Sequence, residues 1–196
     1  MPGPAPFDTI LLLTGSIEAA ALAGVLTIRN PRIGVRHVAS LSELNALDAG
    51  ELARSRLIGF FTDVIVPPRI LAALGYGAYN FHPGPPTYPG WAPAHFAAYD
   101  GAATFGVTAH VMVDRVDAGP IVGVEWFCIP PGTDAARLEQ LAFAALARIF
   151  WNLAYALTQD AALVTQPISW SGVKGTRRRH RNLPDVTAAA PMARRA

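Results

Sequence analysis

A chain of 196 residues, 52% hydrophobic and only 15% charged, can bury a sizeable core, which excludes global disorder. Its single cysteine, Cys128, excludes an intramolecular disulfide framework and a cysteine-built metal site, and suits a reducing cytoplasm. The net charge of +2 is uneven: seven of the 16 basic residues fall at or beyond Lys174, whereas the first 173 residues carry nine basic against 13 acidic side chains, a net −4, which argues against a basic nucleic-acid-binding body.

The apolar run at 10–14 reads as a buried strand. It is too short to span a bilayer and follows Asp8 rather than a basic segment, so neither a signal peptide nor a membrane anchor is expected, and the cytoplasm is the expected location. Gly15-Ser16 ends it, and residues 17–28 follow with helix-favouring Ala and Leu. Residues 34–39 read as a second strand. Residues 41–54 read as helical, with Ser42 near the N-cap and a break at 48–50. Residues 57–61 form a third strand. Pro67 and Pro68 suit the first turn of a short helix running to Leu74, because proline lacks only an N–H that the first turn leaves unused. Residues 78–82 form a fourth strand. The alternation predicts an α/β fold: an open, mostly parallel, Rossmann-like sheet with helices on both faces.

The pattern then changes. Residues 83–90 hold four prolines and two glycines, a rigid, turn-rich loop. A short helix is expected over 93–99. Residues 105–113 alternate Val107, Ala109, Val111 and Val113 against Thr108, His110 and Met112, as a half-buried strand does, and 121–129 supply its partner, completing an antiparallel C-terminal pair. Thr133 is placed to cap a long helix from Asp134 to about Leu157, with Asp134 favouring its dipole. A last short strand is expected over 167–170. Residues 1–185 read as one catalytic domain and the Ala-rich 186–196 as a disordered tail.

Chemistry concentrates at TyrAsnPheHisProGly, 79–84. Asn80 and His82 are two apart on a strand, so both point to one face, at the C-terminal end where open α/β sheets place ligands. An amide N–H donor beside a titratable nitrogen suits acyl transfer, in which an oxyanion develops and a proton moves. A carboxylate followed by Gly and Pro, at Asp117, leaves its strand through a tight turn that can aim it. By itself Asn-x-His also fits a satisfied polar pair, and Asp-x-Gly a plain turn.

Together with IleValProProArgIleLeu at 65–71, AsnPheHisPro at 80–83, TyrProGly at 88–90, GlyValThrAlaHis at 106–110 and AspAlaGlyProIle at 117–121, these motifs resemble the folate-dependent formyltransferases. That family includes the glycinamide ribonucleotide, methionyl-tRNA and sugar-amine formyltransferases and formyltetrahydrofolate deformylase. The resemblance implies that Asn80, His82 and Asp117 are catalytic. It also implies that 10-formyltetrahydrofolate is the formyl donor, without a metal, against Ile65, Val66 and the backbone from Asp114 to Asp117. A small-molecule amine, such as a nucleotide-sugar amine or other phosphorylated amine, is the implied acceptor.

The chain departs from the family in three places. GlyProPro follows His82 where relatives have a Ser-Leu-Leu-Pro type loop, the first half is short, and Pro89-Gly90 replaces the Arg-Gly of methionyl-tRNA formyltransferases. A formyltetrahydrofolate hydrolase and a non-catalytic folate-binding protein are the competing readings, and oligomeric state is open, a homodimer included. Gly15 and Ser16 could receive an acceptor phosphate or simply cap a helix. His110 could line the site or be a satisfied core histidine. His37 and His95 have no sequence partners, and the four tryptophans read as core. The segment 170–178, rich in Gly and Arg, reads as a solvated tail, with Lys174 and Arg177 as candidate contacts to a phosphorylated acceptor.

Overall fold

In a computed structural model describing residues 7–183, six strands form one sheet in the order β2-β1-β3-β4-β5-β6. They are β1 (Thr9–Leu13), β2 (Gly34–Val38), β3 (Ser55–Phe60), β4 (Ala78–His82), β5 (Thr104–Val111) and β6 (Ile121–Cys128). β1 to β4 are parallel, and β5 runs antiparallel to both β4 and β6. The α/β fold class and the antiparallel C-terminal pair are as the sequence implies. The helices are α1 (Ser16–Arg29), α2 (Leu41–Asn45), α3 (Ala49–Ala53), α4 (Pro68–Ala73), α5 (Pro93–Tyr99), α6 (Ala135–Gln159) and α7 (Arg177–Arg181).

Side-chain alternation divides the sheet into two apolar faces. Ile10, Leu12, Ile58, Phe60, Tyr79, Phe81, Val107 and Ala109 meet α1, α5 and α6. Leu11, Leu13, Leu57 and Ala78 meet α2, α3 and α4. Asn80 and His82 continue the second face beyond the point where its short helices end, and that is what leaves room for a site.

Several expectations need correction. Residues 41–54 form two helices, because Ser40 and Asp48 each accept a backbone N–H and start a new one. Asp134, not Thr133, caps α6, accepting from Arg137 N; the Thr133 hydroxyl is turned back to the Pro130 carbonyl. β5 is buried on both faces, since Thr108 and His110 pack under loops instead of facing water. No strand forms over 167–170. The tryptophans are not core: Trp91, Trp126 and Trp151 are exposed and Trp170 is half-buried. His37 and His95 do have partners, Thr14 O at 2.9 Å and Glu139 Oε1 at 3.3 Å. The tail expected over 186–196 lies outside the described residues.

The 25 residues of α6 are long and apolar enough to cross a membrane by length and composition, but the helix packs along β5, β6, α1 and α5. Its C-terminus is held by Arg56, a fully buried side chain on β3. The guanidinium donates to the carbonyls of Tyr76, Ala156, Leu157, Asp160 and Ala161 at 2.5–3.3 Å and lies between the rings of Phe7 and Tyr79. Burial pulls its pKa below the usual arginine value, while Tyr79 and Asp160 oppose the shift. The negative end of the α6 dipole and five carbonyl oxygens replace the counter-ion.

Candidate active site

The register of the sheet assembles the site. Gly59 of β3 pairs with Asn80, Asn80 pairs with His110, and His82 pairs with Thr108, so the polar side chains of β4 and β5 stand in two adjacent rows on one face. The turn after β5 brings Asp117 over them. Its carboxylate lies between two imidazoles, with Oδ2 3.6 Å from His82 Nδ1 and Oδ1 3.3 Å from His110 Nε2, and accepts the Gly90 N–H at 2.7 Å. Asn80 Nδ2 is 3.2 Å from His110 Nε2. The second nitrogen of each ring meets a backbone carbonyl: His82 Nε2 that of Tyr88 at 3.1 Å, His110 Nδ1 that of Val111 at 2.9 Å.

Burial and charge act against each other here. Desolvation pushes the Asp117 carboxyl upward, but His82, His110 and the Gly90 N–H together hold it well below the usual carboxylate range. Burial lowers His82 below its ordinary value despite the attraction of Asp117 and the Tyr88 carbonyl; His110 and Lys174 lower it further. At neutral pH the cluster therefore holds an ionised carboxylate beside an uncharged His82, an arrangement able to accept a proton.

Glycines and strained residues allow this approach. A Cβ on Gly84 would stand 2.7 Å from His82 Nε2 and 2.6 Å from Pro93 Cβ; one on Gly119 would stand 1.9 Å from the Val111 carbonyl oxygen. Phe61, Ala92 and Asp117 have φ of 47°, 51° and 48°, the left-handed region that costs a non-glycine residue about 1–3 kcal/mol. Each lies in one of the three loops that frame the site. Gly119→Ala is expected to displace the Asp117 turn and abolish most activity while leaving β1 to β4 folded; turnover equal to wild type would show that the turn relaxes without cost.

A cavity opens beside the cluster. Its walls are Val64, Ile65, Val66, Leu71, Met112 and Val113, its inner end is Asn80, His110 and Asp117, and Asp114 stands at the exposed rim. Ile65 is largely exposed and Val66 buried, so the two meet the cavity from its edge and its depth. The structure thus gathers Asn80, Asp117, Ile65, Val66, Asp114 and His110 at one place. His82 does not line this cavity: it stands behind Asp117, 4% exposed. Gly15 and Ser16 follow β1, two strands from β4, and begin α1 without a side-chain cap; the Glu18 carboxylate lies against Gly15.

The parts played by backbone groups of 86–91 and by Trp170 were not legible. The Tyr88 carbonyl, the Gly90 N–H and Trp170 are part of the cluster's surroundings, and no sequence pattern marks a backbone group or a lone indole for such a place. The expectation of a solvated tail over 170–178 is corrected: the Trp170 indole lies edge-on to His110 and His82, with centroids 5.0 and 5.8 Å away.

An amide, two imidazoles and a carboxylate gathered beyond the strand ends of an open α/β sheet suit acyl-group chemistry. The family model described as formyl transferase matches residues 57–148. Methionyl-tRNA formyltransferase of Listeria welshimeri is 33% identical over 113 residues, 57% of this chain and 34% of that enzyme, so the chain spans about a third of the length of the curated relatives it matches. A 4-N formyltransferase from Francisella tularensis shares the fold with a TM-score of 0.74 at 14% identity, over 95% of this chain and 84% of that one. A formyltransferase from Anoxybacillus kamchatkensis, solved with UDP-4,6-dideoxy-4-formamido-L-AltNAc and tetrahydrofolate, gives 0.70 at 17% identity, over 89% and 88%. The chain is thus similar to the formyl transferase family over residues 57–148 and shares the fold of solved formyltransferases.

Proposed function

We propose that this chain transfers a formyl group from 10-formyltetrahydrofolate to the amine of a small molecule, with Asn80, His82 and Asp117 as its catalytic residues. The observation that carries the reading is the apolar cavity that ends on Asn80, His110 and Asp117. Its walls, Ile65 and Val66 among them, fit a flat heteroaromatic ring, and the backbone from Asp114 to Asp117 offers hydrogen bonds at one edge. The donor supplies an activated one-carbon acyl group. Asn80 Nδ2 donates to the formyl oxygen as it gains negative charge. The amine nitrogen attacks the formyl carbon, the ionised Asp117 takes its proton through a water with the uncharged His82 behind it to shuttle that proton, and the same proton is returned to the tetrahydrofolate nitrogen as its bond to the formyl carbon breaks. Residues 1–185 form the catalytic domain.

The acceptor is an amine carried on a nucleotide-sugar or another phosphorylated molecule. The Anoxybacillus structure, whose bound formamido sugar is such a product, supports this reading. Gly15, Ser16 and His110 are the proposed acceptor contacts. Among the basic residues of the C-terminal segment, Lys174 is held by the Val116 carbonyl in a cleft that Asp117 also lines, and Arg177 by Asp63 and the Trp91 ring, and both are proposed contacts to an acceptor phosphate.

Incubation with 10-formyltetrahydrofolate and a panel of amines, following tetrahydrofolate release, tests the reading. Amine-dependent release is expected, and Asn80→Ala should lower kcat by about 10²-fold or more without loss of donor affinity. Release that ignores the amine would make the chain a hydrolase. No release, with the donor still bound, would make it a binding protein.

A further inference from the structure

The segment 170–177 lies beyond the residues matched by the family model, yet it touches all three loops that build the site. Ser171 N donates to the Pro86 carbonyl at 2.9 Å, Gly175 N to that of Pro89 at 2.7 Å, and Trp91 N to the Gly175 carbonyl at 3.0 Å. These contacts bracket Tyr88, whose carbonyl meets His82. Trp170 Nε1 donates to the Gly119 carbonyl at 2.8 Å, and Lys174 Nζ to that of Val116 at 2.8 Å, one on each side of Asp117. Arg177 lies 3.5 Å from Asp63 in the loop after β3. Glycine permits the docking: a Cβ on Gly172 would stand 2.2 Å from Thr87 O, and one on Gly175 2.3 Å from Trp91 O.

We propose that residues 170–177 are a working part of the active site, in which Trp170 is a positioning residue that closes the His82–Asp117–His110 cluster to water and fixes the turn bearing Asp117. The inference rests on the formyl-transfer reading only for what the cluster does; the closure itself follows from geometry. The indole edge covers both imidazoles, its N–H ties down the turn two residues beyond Asp117, and the three side chains beneath are 3–5% exposed. A carboxylate and imidazole interact more strongly out of water, and a fixed turn spares reorganisation during reaction.

The charged and titratable groups that face His82 are Asp117 from the turn, His110 from β5 and Lys174 from the segment itself. Replacing Trp170 removes none of these groups; it opens the cluster to water and releases the Gly119 carbonyl that holds the Asp117 turn. Burial is the largest cause of the low His82 value, so Trp170→Ala is expected to move the His82 titration to higher pH. The readout is ¹⁵N histidine NMR of the full chain without substrates, with the His82 signal assigned by its loss in His82→Asn. Trp170→Phe, which keeps a ring over the imidazoles, should restore a titration near wild type. With substrates, Trp170→Ala should lower kcat about 10–100-fold, the scale at which removal of an outer supporting residue is felt. A folded Trp170→Ala protein whose His82 titrates as in wild type would overturn the proposal, leaving Trp170 as packing alone. If no amine elicits tetrahydrofolate release from the wild type, the formyl-transfer reading fails while the titration still decides this one.

Discussion

Asp117→Asn is expected to lower kcat by about 10²–10⁴-fold, the range over which a positioned acid–base group contributes. The substitution preserves shape, and the amide oxygen can still accept the Gly90 N–H, so the turn and the donor cavity survive. What it removes is the negative charge between His82 and His110 and the acceptor for the amine proton. Donor affinity, measured by fluorescence titration, should hardly change, because the turn keeps its backbone groups and the apolar wall of Val64, Ile65, Val66, Leu71 and Met112 is untouched. Turnover within a few-fold of wild type would remove Asp117 from the chemistry.

The same residues set the acid limit of the fold. Asp117 has a folded pKa below its unfolded value, so its contribution to stability is present above the ordinary carboxylate range and is lost as pH falls through the lower, folded value. His82 is also lowered, so the unfolded chain binds its proton first, and stability declines as pH falls below the ordinary histidine value of about 6.5. Both effects run in one direction. The melting temperature should fall between pH 7.5 and pH 5, and His82→Asn should flatten the upper part of that decline.

Arg56→Met is expected to be the most destabilising single change, by at least about 3 kcal/mol, since each hydrogen bond to a charged group is worth about 1.5–3 kcal/mol. Methionine fills the aliphatic path but removes the donor that the carbonyls at the end of α6 share, the buried Leu157 carbonyl above all. Urea unfolding should show a lower midpoint with an unchanged slope. Because Arg56 stands at the start of β3 and the site at the end of β4, kcat of the folded fraction should be preserved. A melting temperature equal to wild type would show that the helix end finds water or another donor.

The sequence by itself determined the layout of the sheet and the face on which the site stands. Periods of two and 3.6 residues are local properties, so residues 10–14, 57–61 and 78–82 read correctly as strands, and Asn80 and His82 had to share a face once 78–82 was one. Family text further along the chain pointed to Asp117, Ile65 and Val66. Tertiary structure decided what stands behind what. His110 shares the cavity wall with Asn80, and His82 retires behind Asp117, because an antiparallel partner set Thr108, not His110, opposite His82. Residues 170–177 are docked on the loop 86–91 by backbone hydrogen bonds, which every residue type carries alike and which leave no trace in the sequence. Nothing in the sequence singles out Arg56, whose partners at the end of α6 lie a hundred residues later in the chain.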